Sequence, residues 1–148
     1  MFHYFESKAA LYEELIRIGV SGPASVMTID ASDPMRFFEA AASGILTALR
    51  SNPFAAKMFV LMEQAPFNTS VSESVRTLVA DSHRVFEKTA DYIKAGQQCG
   101  QIRPGNPQAL AVLFCRALSG VALYAALYPD AAIPEAEWII DCIRSKQA

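Results

Sequence analysis

Charge is sparse in this 148-residue chain, and none of it is clustered. Thirteen Lys and Arg stand against fifteen Asp and Glu, a net charge of −2, and no two basic residues are adjacent. A surface that neutralises several phosphates needs clustered cations, so the chain by itself is expected to be a poor nucleic-acid binder. Cysteine is scarce as well. Cys99, Cys115 and Cys142 are odd in number, widely spaced and form no C-x-x-C, which argues against a disulfide framework or a zinc site and fits reduced, half-buried thiols in a cytoplasmic protein. The two histidines, His3 and His83, stand too far apart to make a local ligand pair. Phosphate cradles, dinucleotide fingerprints, hydrolase elbows and zincin motifs are all missing. The expectation is therefore no metal, no cofactor and no enzyme. Nor does the sequence open on a basic segment followed by an apolar one, the mark of a secretory signal.

What is present is apolar: 52% of the residues are hydrophobic and only 19% charged, enough for one domain to bury a core. The longest apolar run, Leu110 to Tyr128, has the length of a membrane span. Arg116 interrupts it, at a cost of a few kcal/mol in a bilayer, so a soluble, protein-buried helix is the reading taken and no membrane partner is expected.

Helix-start signals recur. Asp33-Pro34, Asn52-Pro53 and Asn106-Pro107 each place a capping side chain before a proline at the first helical position, where the missing N–H costs nothing. Ser7 can cap a further start. Ser70-x-x-Glu73 reads as a capping box, and Pro134-Glu135-Ala136-Glu137 puts carboxylates in a first turn, where the helix dipole favours them. Stripes of helical period follow: Phe38, Ala42, Ile45 and Leu49; Val75, Val79, Ser82, Phe86, Thr89 and Ile93; Leu110, Phe114, Ala117, Val121, Tyr124 and Tyr128. Strand-like alternation is not sustained. The expected fold is all-α, a six-helix bundle over Ser7–Ile18, Asp33–Ser51, Pro53–Gln64, Val71–Gln98, Pro107–Tyr128 and Pro134–Lys146. Gly22-Pro23 and the serines around it predict a loop over 19–32, and Gly100 predicts the left-handed cap that ends the longest helix.

Two stretches carry a resemblance. Phe2-His3-Tyr4-Phe5-Glu6-Ser7-Lys8-Ala9-Ala10-Leu11 resembles the seam in TetR-family transcriptional regulators, where the recognition helix of a helix-turn-helix hands over to the helix joining it to the ligand-binding domain. Ala95 to Pro107, with its Gly100-Gln101-Ile102-Arg103-Pro104 turn and Asn106-Pro107 restart, is similar to the turn that closes the long helix of that domain and launches a dimerisation helix. The resemblance implies a remnant of the recognition helix and the connecting helix at 1–18, a loop at 19–32, and a ligand-binding and dimerisation domain at 33–148. Two helices and most of the recognition helix precede this point in a full family member, and a helix-turn-helix reads bases through that second helix. The implied function is ligand sensing and dimerisation in a regulator, expected to be a repressor, that responds to an apolar or amphipathic small molecule. DNA binding would belong to an intact relative. The competing reading is a stand-alone helical module that binds a small molecule or a partner helix with no role on DNA.

For the ligand, the expectation is an apolar cavity between the second and fifth of these helices, lined by a subset of Phe38, Ile45, Phe59, Met62, Phe86 and Tyr124, with His83 as polar anchor. For the homodimer, small residues on Pro107–Tyr128 that permit close approach, together with the apolar side chains of Pro134–Lys146, point to Leu113, Ala117, Gly120, Val121, Trp138, Ile139 and Cys142 in a four-helix interface. Arg116, the polar outlier, is expected to pair with a carboxylate at a helix interface.

Overall fold

The computed structural model describes residues 6–21, 32–69, 71–81 and 84–146, without the side chains of 19–21, 79 and 81. Its elements are α1 (Lys8–Ser21), α2 (Pro34–Ser51), α3 (Pro53–Gln64) running into a 3-10 turn at Ala65–Phe67, α4 (Glu73–Asp81), α5 (Arg84–Gln98), α6 (Pro107–Leu127) and the short α7 (Ala136–Ile140). The described residues are all-helical apart from one isolated antiparallel bridge between Ile102 and Arg144.

The proline-led starts form as their chemistry dictates. Asp33 Oδ1 accepts from the Arg36 N–H at 3.3 Å, Asn52 Oδ1 from Phe54 at 3.0 Å and Asn106 Oδ1 from Ala109 at 3.0 Å, each satisfying a donor that the first helical turn leaves orphaned. Ser7 Oγ caps α1 in the same way through the Ala10 N–H at 3.1 Å. Gly100 takes φ 78, the left-handed conformation that closes α5, and the Gln101 and Ile102 N–H groups fold back onto the Gly96 carbonyl at 2.9 and 3.1 Å.

Three boundaries differ from expectation. The long helix over Val71–Gln98 is described as α4 and α5, on either side of residues 82 and 83, which lie outside the described set. Its described start falls at Glu73, and the capping box expected on Ser70 lies outside the described residues; Val71 is buried in a small cluster, and the Ser72 N–H is taken by the Glu13 carboxylate of α1 at 2.8 Å. At the other end, the helix expected over Pro134–Lys146 stops at Ile140. The chain then leaves the helix to pair with the α5–α6 turn, Arg103 N–H to Ile143 O at 2.9 Å and Ser145 N–H to Gln101 O at 2.8 Å. Finally, α1 runs three residues into the segment expected as loop, while 22–31 lie outside the described residues.

Burial divides into two clusters. The larger joins Phe37, Phe38, Ala42 and Leu46 of α2, Ala56 of α3, Ala90 and Ile93 of α5, Phe114 and Leu118 of α6, and Ile139, Ile140 and Ile143 at the C-terminal end. Its centre is aromatic: Phe38 meets Phe37 and Phe114 edge to face at 5.1 and 4.9 Å between centroids, and Phe37 stacks on Tyr92 at 4.0 Å, arrangements the ring quadrupoles favour. The smaller cluster holds Ile16, Ala65, Val71 and Val75, with Tyr12, Leu61 and Met62 packed against it. It is the satellite that seats α1. Helix α3 belongs to both, Ala56 and Phe59 in the first and Leu61 and Met62 in the second.

Candidate functional site

Helix α6 has one charged residue in 21, Arg116, and is otherwise apolar all round, so its periodicity alone does not fix which face turns inward. The buried face is Leu110, Ala111, Phe114, Leu118 and Ala122. That is a rotation away from the stripe expected on Leu110, Phe114, Ala117, Val121, Tyr124 and Tyr128. Ala117 and Val121 lie at the edge of the core, whereas Tyr124 is 49% exposed, its ring tilted against Tyr128 at 4.9 Å. The opposite face carries Val112, Leu113, Gly120, Leu123, Tyr124, Leu127 and Tyr128, all exposed, in a run at helical spacing. A Cβ built at Gly120 meets nothing within 4 Å, so the backbone there is open to close approach. Exposed apolar surface of this kind, broken here by Arg116, marks a site of contact with a protein or a membrane. By length and composition the same helix is also the one described helix that could cross a membrane.

Beside this face lies an open groove of about 460 Å³ between α5 and α6. Phe86, Ala90 and Val112 form its apolar part, and Glu87, Asp91, Lys94, Gln108 and Arg116 its polar edge. At one end Arg116 pairs with Glu63 of α3, whose other carboxylate oxygen accepts from Ser119 Oγ at 3.3 Å, and its guanidinium sits 5.2 Å from the Phe86 ring centroid. The expected carboxylate partner for Arg116 is thus Glu63, and the group ties α3, α5 and α6 together. Both charged side chains are about half exposed, where an ion pair contributes little. At the other end Lys94 lies 3.5 Å from Asp91. Under the groove, burial pushes the Cys115 thiol up despite a hydrogen bond with Thr89, so the nucleophilic thiolate is disfavoured there. Among the described residues no three of His, Cys, Asp and Glu gather as a metal set.

The side chains expected to line a cavity between α2 and α6 do not converge. Phe38 is fully buried between aromatic neighbours, Ile45 and Phe59 pack against the same core, Met62 belongs to the satellite cluster, Phe86 faces the α5–α6 groove and Tyr124 faces outward. His83, like His3, lies outside the described residues. For Tyr124 the cause is the rotation of α6, which turns it away from the side facing α2. Of the expected dimer residues, Leu113 and Gly120 lie on the exposed face, Ala117 and Val121 flank it, Trp138 is 65% exposed and Cys142 is half-buried, its thiol on the Trp138 carbonyl. Ile139 is the exception: at 4% exposure it faces the chain's own core, because the short α7 is held inward against α2. Arg50 at the end of α2 fixes that entry through the Pro134 carbonyl at 3.2 Å and the Glu135 carboxylate at 3.3 Å.

Val112, Leu123, Leu127 and Tyr128 were missed, as was Glu63. Their signal was Arg116 itself. A lone charge on an apolar helix marks the side facing solvent, and positions three, four and seven away from it, Val112, Leu113, Gly120 and Leu123, map the exposed face. Comparison with known proteins finds no matching family model, no matching curated protein and no matching solved structure.

Proposed function

We propose that this chain is the ligand-sensing and dimerisation domain of a TetR-type transcriptional regulator, cytoplasmic, and that it forms a homodimer through the exposed apolar face of α6. The observation that carries the reading is that face: Leu113, Leu123, Tyr124, Leu127 and Tyr128 stand uncovered around an open Gly120, on the helix that the resemblance assigns to dimerisation. A stable interface requires about 1,200–2,000 Å² of total buried surface with an apolar centre, and with Ile139 turned inward α6 must supply most of it. The effector is an apolar or amphipathic small molecule, with the α5–α6 groove and its Phe86–Arg116 end as its place of entry. The domain itself makes no specific contact with duplex DNA, since its charge is −2 without a basic cluster. A gel shift at physiological salt is expected to show no sequence-dependent complex.

Light scattering tests the dimer. The wild-type chain should run as a dimer at micromolar concentration, and Leu113→Glu combined with Leu127→Glu should give a folded monomer. A monomeric wild type contradicts the proposal. A second reading, the stand-alone module without a role on DNA, draws on the dispersal of the expected cavity side chains. A thermal-shift screen of amphipathic compounds tests the groove, because a ligand of the folded state alone raises the melting temperature, and a hit lost in Phe86→Ala supports it. Translating the DNA immediately upstream of the Met1 codon separates the two readings: an in-frame helix-turn-helix pattern ending at Phe2 supports the regulator, and a different sequence there favours the module.

A further inference from the structure

The attachment of α1 differs in kind from that of every helix in the main core. It packs against α3 and α4, and its fully buried side chain, Ile16, belongs to the satellite cluster with Ala65, Val71 and Val75, which shares no buried residue with the main cluster. A polar contact joins it to the chain 59 residues away: Glu13 Oε1 accepts the Ser72 N–H at 2.8 Å. That N–H stands immediately ahead of α4, whose first intrahelical bond runs from Arg76 N–H to Ser72 O at 3.0 Å. A carboxylate there satisfies a backbone donor and also meets the positive end of the α4 dipole. Arg17, one turn on, lies 3.9 Å from Glu13 and 3.7 Å from Glu14 and holds the carboxylates on that side of α1. The Ser72 hydroxyl, 2.9 Å from the Ser74 hydroxyl, also hydrogen-bonds the Glu13 carboxylate, so Ser72 meets α1 through its backbone and its side chain together.

We propose that α1 and the start of α4 form a strap that opens as one unit from the end of α3 while the main core stays folded, and that Glu13 on the Ser72 N–H is its clasp. The inference goes beyond the function proposed above and does not depend on it. Cooperative opening units follow contiguous buried contacts, and the contacts here divide within α3, between Phe59 and Leu61. In this arrangement α1 can change its set against the main core without a single contact of the Phe37–Phe38–Phe114 centre being broken. The Arg116–Glu63–Ser119 tie, which holds the end of α3 to α6, marks the fixed side of the strap.

Native-state hydrogen exchange on the whole chain tests the clasp, with Glu13→Ala and Glu13→Gln. In Glu13→Ala the amides of α1 and of the first turns of α4 should exchange about tenfold faster, the order expected for losing this charge-assisted contact near the surface, while those of α2, α5 and α6 keep their wild-type rates. Glu13→Gln keeps an acceptor without the charge and should fall between the two. Unchanged exchange in α1 overturns the proposal. So does equal acceleration across α2, α5 and α6, or loss of the whole fold, since either places α1 in the same cooperative unit as the main core.

Discussion

The main core and the satellite are built on opposite plans. Around the Phe37–Phe38–Phe114 centre, five helices interlock through large buried side chains, and the layer ends in an uncovered apolar face on α6. The satellite holds four buried residues, only one from α1, and relies on a carboxylate cap to complete the join. Packing that is dense inside and unfinished outside suits an element that must stay rigid while it meets a partner. A small cluster closed by a polar clasp suits an element that must shift. The proposed association and the proposed opening thus fall on different parts of the molecule.

The sharpest way to break that contrast is to hollow out each cluster in turn. Phe38→Ala removes the ring at the centre of the main core and should destabilise the whole fold by about 3–5 kcal/mol, read as a lower denaturation midpoint by circular dichroism. Ile16→Ala, equally buried, should instead raise exchange in α1 and α4 and leave the midpoint of the main core nearly unchanged. A smaller effect is expected at Gly96, where an added Cβ would lie 2.6 Å from Ile102 Cγ1 and 3.2 Å from its Cβ. Ile102 is buried and its backbone neighbours are pinned by the C-terminal bridge, so it cannot retreat freely. Gly96→Ala should cost about 1–3 kcal/mol as overpacking, visible in chemical denaturation.

Arg116→Ala tests the tie between the regions and should cost no more than about 1 kcal/mol in the same measurement, because the pair is half exposed. The mildest effect is on acidification. The Ser72 hydrogen bond holds the Glu13 carboxyl below its ordinary range, so its stabilisation is fully present above that ordinary range and is lost as pH falls through the lowered folded value. Tyr12, packed on the satellite, should keep its native ring resonances down through the usual carboxylate range and lose them only in stronger acid, before the main core melts.

Much of this was legible in the sequence, for local reasons. Asn52-Pro53 and Asn106-Pro107 carry their helix starts in two adjacent residues, and Gly100 carries its own backbone conformation, so these positions need no tertiary information. Face choice on α6 does need it: with Ala, Leu and Val on every side, several rotations bury comparable apolar area, and only its neighbours decide. The outward turn of Tyr124, where the stripe pointed inward, descends from that degeneracy. The end of α7 was hidden for a different reason, since Ile143 and Ser145 leave the helix to pair with Arg103 and Gln101, some forty residues earlier, and no local propensity encodes that partner. Glu13 was equally silent, a carboxylate on an exposed turn until Ser72 arrives beside it.

Hydrogen exchange on the unmodified chain at two protein concentrations tests the separation of association from motion most directly. Subunit association stabilises by mass action whatever it covers, so the account predicts that amides of α6 and the main core gain protection as concentration rises, while α1 and the start of α4 exchange faster and at rates independent of concentration. A single tier of protection in which α1 and α6 rise together, or an α6 whose exchange ignores concentration from the nanomolar to the micromolar range, would contradict it.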